Sequence, residues 1–161
     1  MKKSARGYTL IELLVAISLA LIISSFGLAY YSSFNRRQIV EQAAKRIVSD
    51  IRLAQNLALS QQKPLVSPGC TCTTFNGYLF DRITGSSYRI VPDCSPVCGV
   101  SVKDVELENI LLSGIKSIKF AVLTQGVVIT PPGLKRLKVK YQGSSYNRDI
   151  VVGTSGDLTI E

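Results

Sequence analysis

The stretch RGYTLIELLVAIS, residues 6–18, opens the segment that decides the fold of the amino-terminal part of the chain. Between Tyr8 and Phe34 the only charged residue is Glu12, and residues 13–23 read LLVAISLALII. A helix needs about 20 apolar residues to cross a lipid bilayer. Aromatic residues lie at both ends of this run, as is common where a helix meets the membrane interface. Residues 8–34 therefore predict one transmembrane helix.

The charges around this segment predict its orientation. Lys2, Lys3 and Arg6 precede the apolar run, which favours a cytoplasmic amino terminus and a carboxyl-terminal domain on the outside. A removable secretory signal, cleaved after residues 27–29, is an alternative, but Glu12 interrupts its apolar region. A plain anchor is a second alternative, although a charged residue at the bilayer centre costs roughly 2.5–3.5 kcal/mol. We interpret Glu12 as a residue that pairs with a partner inside the membrane.

Residues 6–13, RGYTLIEL, resemble the amino-terminal signature of type IV prepilins and type II secretion pseudopilins. The resemblance implies that a prepilin peptidase cleaves after Gly7 and methylates the new amino terminus at Tyr8. It also implies that Glu12 pairs with the terminal amine of a neighbouring subunit during filament assembly. The partners implied are the peptidase, other pilin or pseudopilin subunits, the inner-membrane assembly platform and the lipid bilayer. Tyr8 stands where phenylalanine is commoner in that family.

The helix is predicted to continue beyond the membrane to residue 62. Apolar residues recur at spacings of three or four along residues 35–62, which indicates an amphipathic helix with one buried stripe. Glu41 and Lys45 are spaced as a supporting surface pair. Pro64 ends the pattern. The stripe consists of Ile39, Ala43, Ile47, Ile51, Ala54 and Ala58.

Past Pro64 the sequence alternates between β-branched residues and turn signals, which predicts strands. The predicted fold is α+β and pilin-like, with a long amino-terminal helix packed on an antiparallel β-sheet. The domain boundaries are 1–7 for the leader peptide, 8–34 for the transmembrane half of the helix, 35–62 for its amphipathic half and 63–161 for the globular domain. The predicted strands are Thr73–Asp81, Ser87–Val91, Gly99–Leu107, Ile115–Leu123, Val127–Thr130, Leu134–Gln142, Arg148–Val152 and Asp157–Ile160.

A narrower resemblance concerns the second half of the helix and the carboxyl terminus. Residues 47–55 followed by Ala58 are similar to the helix pattern of H-type pseudopilins and FimT-like minor pilins, and residues 148–160 to their final strand pair. ComGD-like competence pseudopilins also resemble this layout. The resemblance implies a minor component of a filament.

Four cysteines occur as Cys70-x-Cys72 and Cys94-x3-Cys98, spacings that do not match a zinc knuckle. Outside the cytoplasm an even number of cysteines favours disulfides. A hairpin turn at residues 84–87 predicts the nested pairs Cys72 with Cys94 and Cys70 with Cys98. The crossed arrangement is the alternative.

Two charge patterns suggest binding. Asp104, Glu106 and Glu108 alternate along one predicted strand, where a calcium site is an alternative to a solvated face, and we predict no metal. A basic stripe is interpreted as a solvated or subunit-facing surface. A DNA-binding face is the alternative, but the acidic carboxyl terminus lacks the basic tail of FimT-like proteins. The stripe comprises Arg136, Lys138 and Lys140, with Lys116 and Lys119 on another strand.

Composition disfavours catalysis. The 161 residues carry a formal charge of +8 and include no histidine, which excludes histidine-based acid–base chemistry and histidine metal sites. No cofactor is expected. The sequence therefore predicts a structural, non-enzymatic subunit of a secretion or pilus-like filament, held in the inner membrane before assembly with its domain in the periplasm or outside. The alternative is a DNA-binding minor pilin of an uptake pilus.

Overall fold

The computed structural model describes residues 8–64, 68, 71–96, 100–122 and 126–161, except for the side chains of residues 25–29. The chain divides into two compact units, Met1–Arg36 and Arg37–Glu161. Helix α1, Leu10–Leu59, includes residues of both units. An antiparallel β domain follows it, so the predicted α+β, pilin-like fold with a long amino-terminal helix is confirmed.

Helix α1 ends three residues before the predicted position, and its backbone shows why. Gln61 has a positive φ of 51°, in the left-handed region that terminates helices. The Gln62 amide donates to the carbonyl of Leu57 at 3.3 Å, and the Gln61 amide donates to the carbonyl of Ala58 at 3.2 Å. This pair of bonds is a Schellman motif, in which glutamine occupies the position that glycine usually takes.

The strands of the described residues form two antiparallel sheets. The first has the order β3-β2-β1-β5-β6 and the second β4-β7-β8-β9, where one sheet was predicted. The Arg82 guanidinium, at the end of β1, donates to the carbonyls of Leu112, Gly114 and Ile115 and so links the two sheets. The strands are β1 Thr74–Arg82, β2 Ser87–Ser95, β3 Lys103–Glu106, β4 Ile110–Gly114, β5 Ser117–Ala121, β6 Val127–Thr130, β7 Arg136–Tyr141, β8 Asn147–Val152 and β9 Leu158–Ile160.

Strand β2 is longer than predicted because it continues through Pro92. Residues 88–90 pair with both β1 and β3, whereas the part around Pro92 pairs with β1. Pro92 thus lies where β2 is locally an edge, and its missing amide costs no ladder hydrogen bond there. Cys94, which the longer strand includes, forms a disulfide with Cys72, at a Cα–Cα distance of 5.4 Å.

Strand β4 was not predicted, and it begins the second sheet. Asn109, with a positive φ of 58°, forms the turn between β3 and β4. Ile110 and Leu112 of β4 are buried, but Leu111 between them is exposed. The outward leucine obscures the alternation that marks a strand. The predicted strand Gly99–Leu107 is in turn limited to Lys103–Glu106.

One hydrophobic core joins the second half of α1 to both sheets. The predicted helical stripe is buried from Ala43 to Ala58, and Ile39 packs at its margin. The first sheet contributes Phe80 and Tyr88, whose rings lie 4.9 Å apart. The second sheet contributes Leu137, Val139, Ile150 and Val152, none of which is exposed to solvent.

Candidate functional site

The first half of α1 carries apolar side chains that the described residues of its own unit leave exposed. The exposed fraction runs from 50% at Ile17 to 76% at Leu10. Isolated exposed leucines are ordinary on protein surfaces, but a contiguous apolar surface of this kind marks a site of contact with lipid or protein. The members are Leu10, Ile11, Leu13, Leu14, Val15, Ile17, Leu19, Leu21, Ile22 and Ile23, which we call the apolar segment.

Two serines in or next to the apolar segment, Ser18 and Ser24, have hydroxyl groups satisfied within the helix. Ser18 donates its hydroxyl to the carbonyl of Val15 at 2.9 Å, and Ser24 donates to the carbonyl of Ala20 at 2.7 Å. A serine that bonds back to its own helix exposes little unsatisfied polarity to an apolar environment. The apolar segment therefore tolerates both hydroxyls.

Thr9 caps the start of α1 and places Glu12 in its first turn. The Glu12 amide donates to Thr9 Oγ1 at 3.4 Å, and the Leu13 amide donates to the Thr9 carbonyl at 3.2 Å. Thr9 and Glu12 have the spacing of a capping box, which is a structural explanation for the glutamate. The Glu12 carboxylate, however, has no hydrogen bond or ion pair with the described residues. It lies exposed and available to another chain.

The cleavage site is only partly within the described residues. Gly7 lies outside them, whereas Tyr8 is described and is 84% exposed. Cleavage after Gly7 and methylation of Tyr8 therefore stay predictions. No helix of the described residues combines the length and apolar character required of a membrane span. The assignment of residues 8–34 as transmembrane also stays a prediction.

A buried carboxylate that the sequence analysis missed connects the second half of α1 to the first sheet. Asp50 accepts a hydrogen bond from the Tyr88 hydroxyl at 2.7 Å and pairs with the Lys103 ammonium at 2.6 Å. Burial, with a smaller effect of the Asp50 carboxylate, raises the pKa of Tyr88, so the phenol remains a donor. The signal in the sequence is an acidic residue between Ile47 and Ile51 on the apolar stripe.

A second polar cluster connects α1 to β8. The Arg148 guanidinium donates to Glu41 Oε1 at 2.6 Å, and this bond is the main reason that the pKa of Glu41 is lowered. The Tyr146 hydroxyl also donates to Glu41, at 3.4 Å. Arg37 and Arg148 each lie 5.5 Å from the Tyr146 ring centroid. Lys45, the partner predicted for Glu41, also lowers the pKa of Glu41, but by less than Arg148 and Tyr146 do.

The basic stripe of β7 points outward as predicted but lies beside acidic residues. Arg136, Lys138 and Lys140 are exposed, while Leu137 and Val139 between them are buried. Arg136 pairs with Asp149 at 3.6 Å and with Glu161 at 3.3 Å. In the register of β7 and β8, Lys138 lies directly opposite Asp149. Two carboxylates thus offset much of the charge of this stripe.

The other two cations of the predicted DNA-binding face do not extend that stripe. Lys119 is on β5 of the first sheet and pairs with Asp93. Lys116 is exposed between β4 and β5, where its amide donates to Thr130 at 2.8 Å. The structure therefore brings Arg136, Lys138 and Lys140 together on one strand and places Lys116 and Lys119 apart from them.

The remaining candidates are the acidic strand and the cysteines. Asp104 accepts a hydrogen bond from the Ser101 hydroxyl at 2.5 Å, while Glu106 and Glu108 are exposed. No cluster of His, Cys, Asp or Glu suited to a metal occurs among the described residues. Cys72 and Cys94 form the disulfide of the nested arrangement, and Cys70 and Cys98 lie outside the described residues.

The comparison with known protein families concerns the amino-terminal segment. Residues 2–28 match the prokaryotic N-terminal methylation motif, which supports a type IV pilin-like or pseudopilin subunit with a membrane-anchored precursor. Proteins with this motif are structural subunits, not known enzymes, and the motif suggests processing by a prepilin peptidase and assembly with other pilins. No curated protein and no solved structure shows significant similarity to the chain.

Proposed function

We propose that the chain is a minor pilin or pseudopilin, a structural subunit of a type II secretion or type IV pilus-like filament. A prepilin peptidase cleaves the precursor after Gly7 and methylates Tyr8. The precursor spans the inner membrane with residues 8–34 and keeps its β domain in the periplasm or outside. The assembly platform then transfers it to the filament, where other pilin or pseudopilin helices replace the lipid around the apolar segment.

The observation that carries this proposal is the contrast between an uncovered apolar segment and a single carboxylate at its start. Covering one large apolar side chain contributes about 1.5–3 kcal/mol, so the segment gains much from lipid or from neighbouring helices. The hydrophobic gain is not directional. Two helices that slide past each other along their axes would therefore obtain it in many different alignments. A carboxylate at one position selects among them, because only one position lets Glu12 reach a neighbouring terminal amine.

The first test is the mass of the mature protein recovered from the native membrane. Cleavage after Gly7 and methylation predict a chain that begins with N-methyl-Tyr8. A chain that still begins at Met1 contradicts processing, and a chain that begins near residue 30 identifies a secretory signal instead. Intact-mass measurement of the purified full-length product separates these three results.

The second test is the incorporation of a Glu12→Ala variant into sheared filaments, compared with the amount in the membrane. We expect normal insertion and cleavage but loss of incorporation, since removal of one member of a buried ion pair costs about 3–5 kcal/mol. Glu106→Ala is the control, because it removes an exposed glutamate that lies outside the apolar segment and forms no ion pair with the described residues. Equal incorporation of Glu12→Ala and the wild type would refute the role of Glu12.

DNA binding through β7 stays a prediction. The neighbouring Asp149 and Glu161 reduce the attraction of this face for a polyanion, so the structural role is the better supported function.

A further inference from the structure

Among the described strands, each sheet has two edge strands, β3 and β6 in the first sheet and β4 and β9 in the second. An unpaired sheet edge tends to pair with another chain, so proteins cover their edges, shorten them or place charged side chains on them. Strand β3 carries Lys103, Asp104 and Glu106. Strand β9 has only 3 residues and is flanked by Asp157 and Glu161. Charge and short length therefore protect these two edges.

Strand β4 has no charged residue, but other groups of the chain cover its outer edge. The Leu112 amide donates to the carbonyl of Gly85 at 2.5 Å. The Arg82 guanidinium donates to the carbonyls of Leu112 and Gly114, at 3.4 Å each. These outward groups of β4 are therefore bonded to β1 and to the turn that follows it.

Strand β6 has neither charge nor cover. Its side chains are all uncharged, and β5 is its only neighbour among the described strands. The Ala121 amide donates to the carbonyl of Gly126 at 3.4 Å, which fixes the alternation of the ladder between β5 and β6. Val128 therefore bonds towards β5, whereas Val127 and Ile129 direct their amides and carbonyls to the outer edge. None of these outward groups has a hydrogen bond with the described residues.

Uncovered apolar surface lies at the same edge. Val128 of β6 is 55% exposed, and Leu59, in the last turn of α1, is 57% exposed. A mostly apolar cavity of about 340 Å³ lies beside Val127 and is lined in addition by Phe120 of β5, Leu59 and Ser155. A strand added to β6 would place side chains next to Val127 and Val128 and so reduce the exposure of both.

A second copy of β6, in the antiparallel direction, is complementary to this edge. With Val128 of one copy opposite Val128 of the other, Val127 of each copy lies opposite Ile129 of the other, and every outward amide and carbonyl is paired. A register centred on Ile129 would set Pro131, which has no amide, opposite Val127. The proline that follows β6 thus favours the register centred on Val128.

We propose that two copies of the chain associate through β6 and form one continuous antiparallel sheet, with a two-fold axis at Val128. Addition of a strand to an open sheet edge is a common mode of association, and a two-fold contact uses the same surface on both copies. The two Val128 side chains would meet as an apolar cross-strand pair. Lys119, the neighbour of Val128 on β5, is already paired with Asp93, so it leaves no uncompensated charge at the axis.

The other edges of the chain fit β6 less well than β6 itself does. Strand β3 would bring charged side chains against the uncharged edge, the outer edge of β4 is covered, and β9 is shorter. A strand of 4 residues buries little surface, and small interfaces are weak. The pairing is therefore transient in dilute solution, and its test requires covalent trapping.

The test is disulfide trapping of full-length Val128→Cys protein in detergent, with the rate of dimer formation followed on non-reducing gels. Opposed residues that share no hydrogen bond in an antiparallel pair have Cα atoms about 4.5 Å apart, a distance that a disulfide spans. Thr130→Cys is the matched control, because Thr130 is exposed on the same face of the same strand. The proposed register separates the two Thr130 residues by about 13 Å along the strands, too far for a disulfide. The wild type, oxidised in the same way, gives the background from the native cysteines.

A third protein tests the main-chain pairing itself. Val128→Cys combined with Ile129→Pro removes one outward amide from each copy, and an edge strand tolerates proline where its amide faces outward. The melting temperature of each protein, from circular dichroism, checks that the fold is retained. The comparison of Val128→Cys with Thr130→Cys stands whether or not the proline variant folds.

We expect Val128→Cys to form the disulfide dimer at least about ten times faster than Thr130→Cys, and the proline to slow it by about the same factor, since hydrogen bonds across the axis are lost. Equal rates for Val128→Cys and Thr130→Cys would show random collision, and no dimer from Val128→Cys would show that the edges do not meet. Either result overturns the proposal, as does a folded proline variant that reacts at the full rate. In native membranes, a disulfide adduct of Val128→Cys with a mass other than twice that of the chain would identify a different occupant of the edge and also overturn it. None of these results bears on cleavage after Gly7 or on filament incorporation, which are measured separately.

Discussion

The two halves of α1 carry similar apolar residues, which are exposed in the first half and buried in the second. In the first half, apolar side chains such as Leu10 and Ile23 are more than 70% exposed. In the second half, Ile47 and Ile51 have no exposed surface, because two sheets of the same chain cover them. The second half thus obtains its packing by folding, whereas the first half requires lipid or other subunits. Stability and assembly should therefore respond to changes in different halves of one helix.

The largest effect on stability should come from the second half. Ile51→Ala opens a cavity in the core and should lower the free energy of unfolding by about 2–5 kcal/mol. Leu19→Ala changes an exposed residue of the first half and should leave the unfolding of the β domain unchanged. Denaturant unfolding of the full-length protein in detergent, followed by tyrosine circular dichroism, measures both. Similar destabilisation by the two variants would remove the distinction between the halves.

The disulfide should also stabilise the β domain, without an effect on the first half of α1. Cys72 and Cys94 are separated by 22 residues along the chain. A cross-link that closes a loop of that length in the unfolded state stabilises the folded state by about 3 kcal/mol. A double variant, Cys72→Ser with Cys94→Ser, should lose about this amount in the same denaturation experiment. Membrane insertion, measured by carbonate extraction, should not change. A double variant as stable as the wild type would show that the cross-link adds nothing to the fold.

The polar contacts of Asp50 with Tyr88 and Lys103 should have a smaller effect on the free energy of unfolding. Asp50→Ala leaves the Tyr88 hydroxyl and the Lys103 ammonium without their acceptor, which should cost about 1–3 kcal/mol. Lys103 is 35% exposed, so water replaces part of the lost interaction. The exposed Asp104, bonded to Ser101, supplies the control Asp104→Ala, which should change stability by less than about 0.5 kcal/mol. Equal effects of the two variants would contradict a special role for the buried carboxylate.

The smallest effect should be a dependence of stability on acid pH at Glu41. Arg148 holds the pKa of Glu41 below the usual 4.5, so the folded state favours the ionised carboxylate. The resulting stabilisation is present above pH 4.5 and is lost as the pH falls through the lowered pKa. Glu41→Gln should therefore melt at a lower temperature than the wild type at neutral pH. The difference should shrink as the solution is acidified.

A difference in melting temperature that stays constant between neutral and acid pH would show that ionisation of Glu41 does not contribute to stability. Glu106→Gln is the matched control, since it neutralises an exposed glutamate that forms no ion pair with the described residues.

The sequence predicted those parts of the fold in which the spacing of apolar residues is regular. The stripe of α1 follows the helical period from Ala43 to Ala58, and β7 alternates without interruption, so both were recognised. Strand β4 was missed because Leu111 faces outward, and the extension of β2 because Pro92 normally ends a strand. In both cases the explanation depends on which strands are neighbours, and a single sequence does not give that information.

The candidate site residues were likewise predicted only where neighbours along the chain decide their environment. Glu12 stands out in sequence because an apolar run surrounds it. The Asp149 and Glu161 partners of Arg136 are remote from it along the chain, so the sequence overstated the charge of β7. Conversely, folding buries Asp50, whose charge the sequence alone does not distinguish from that of a surface carboxylate. Surface charge is thus a property of the fold more than of the composition.

The cap at Thr9 has an electrostatic consequence for a chain cleaved after Gly7. The helix begins at Leu10, so the new amine of Tyr8 would lie next to the positive end of the helix dipole, where a cation is disfavoured. The Glu12 carboxylate in the first turn is favoured by the same dipole. A neighbouring carboxylate that approaches the amine would relieve the repulsion. Cleavage would thus create a charge that its own helix accommodates poorly and that a second subunit accommodates well.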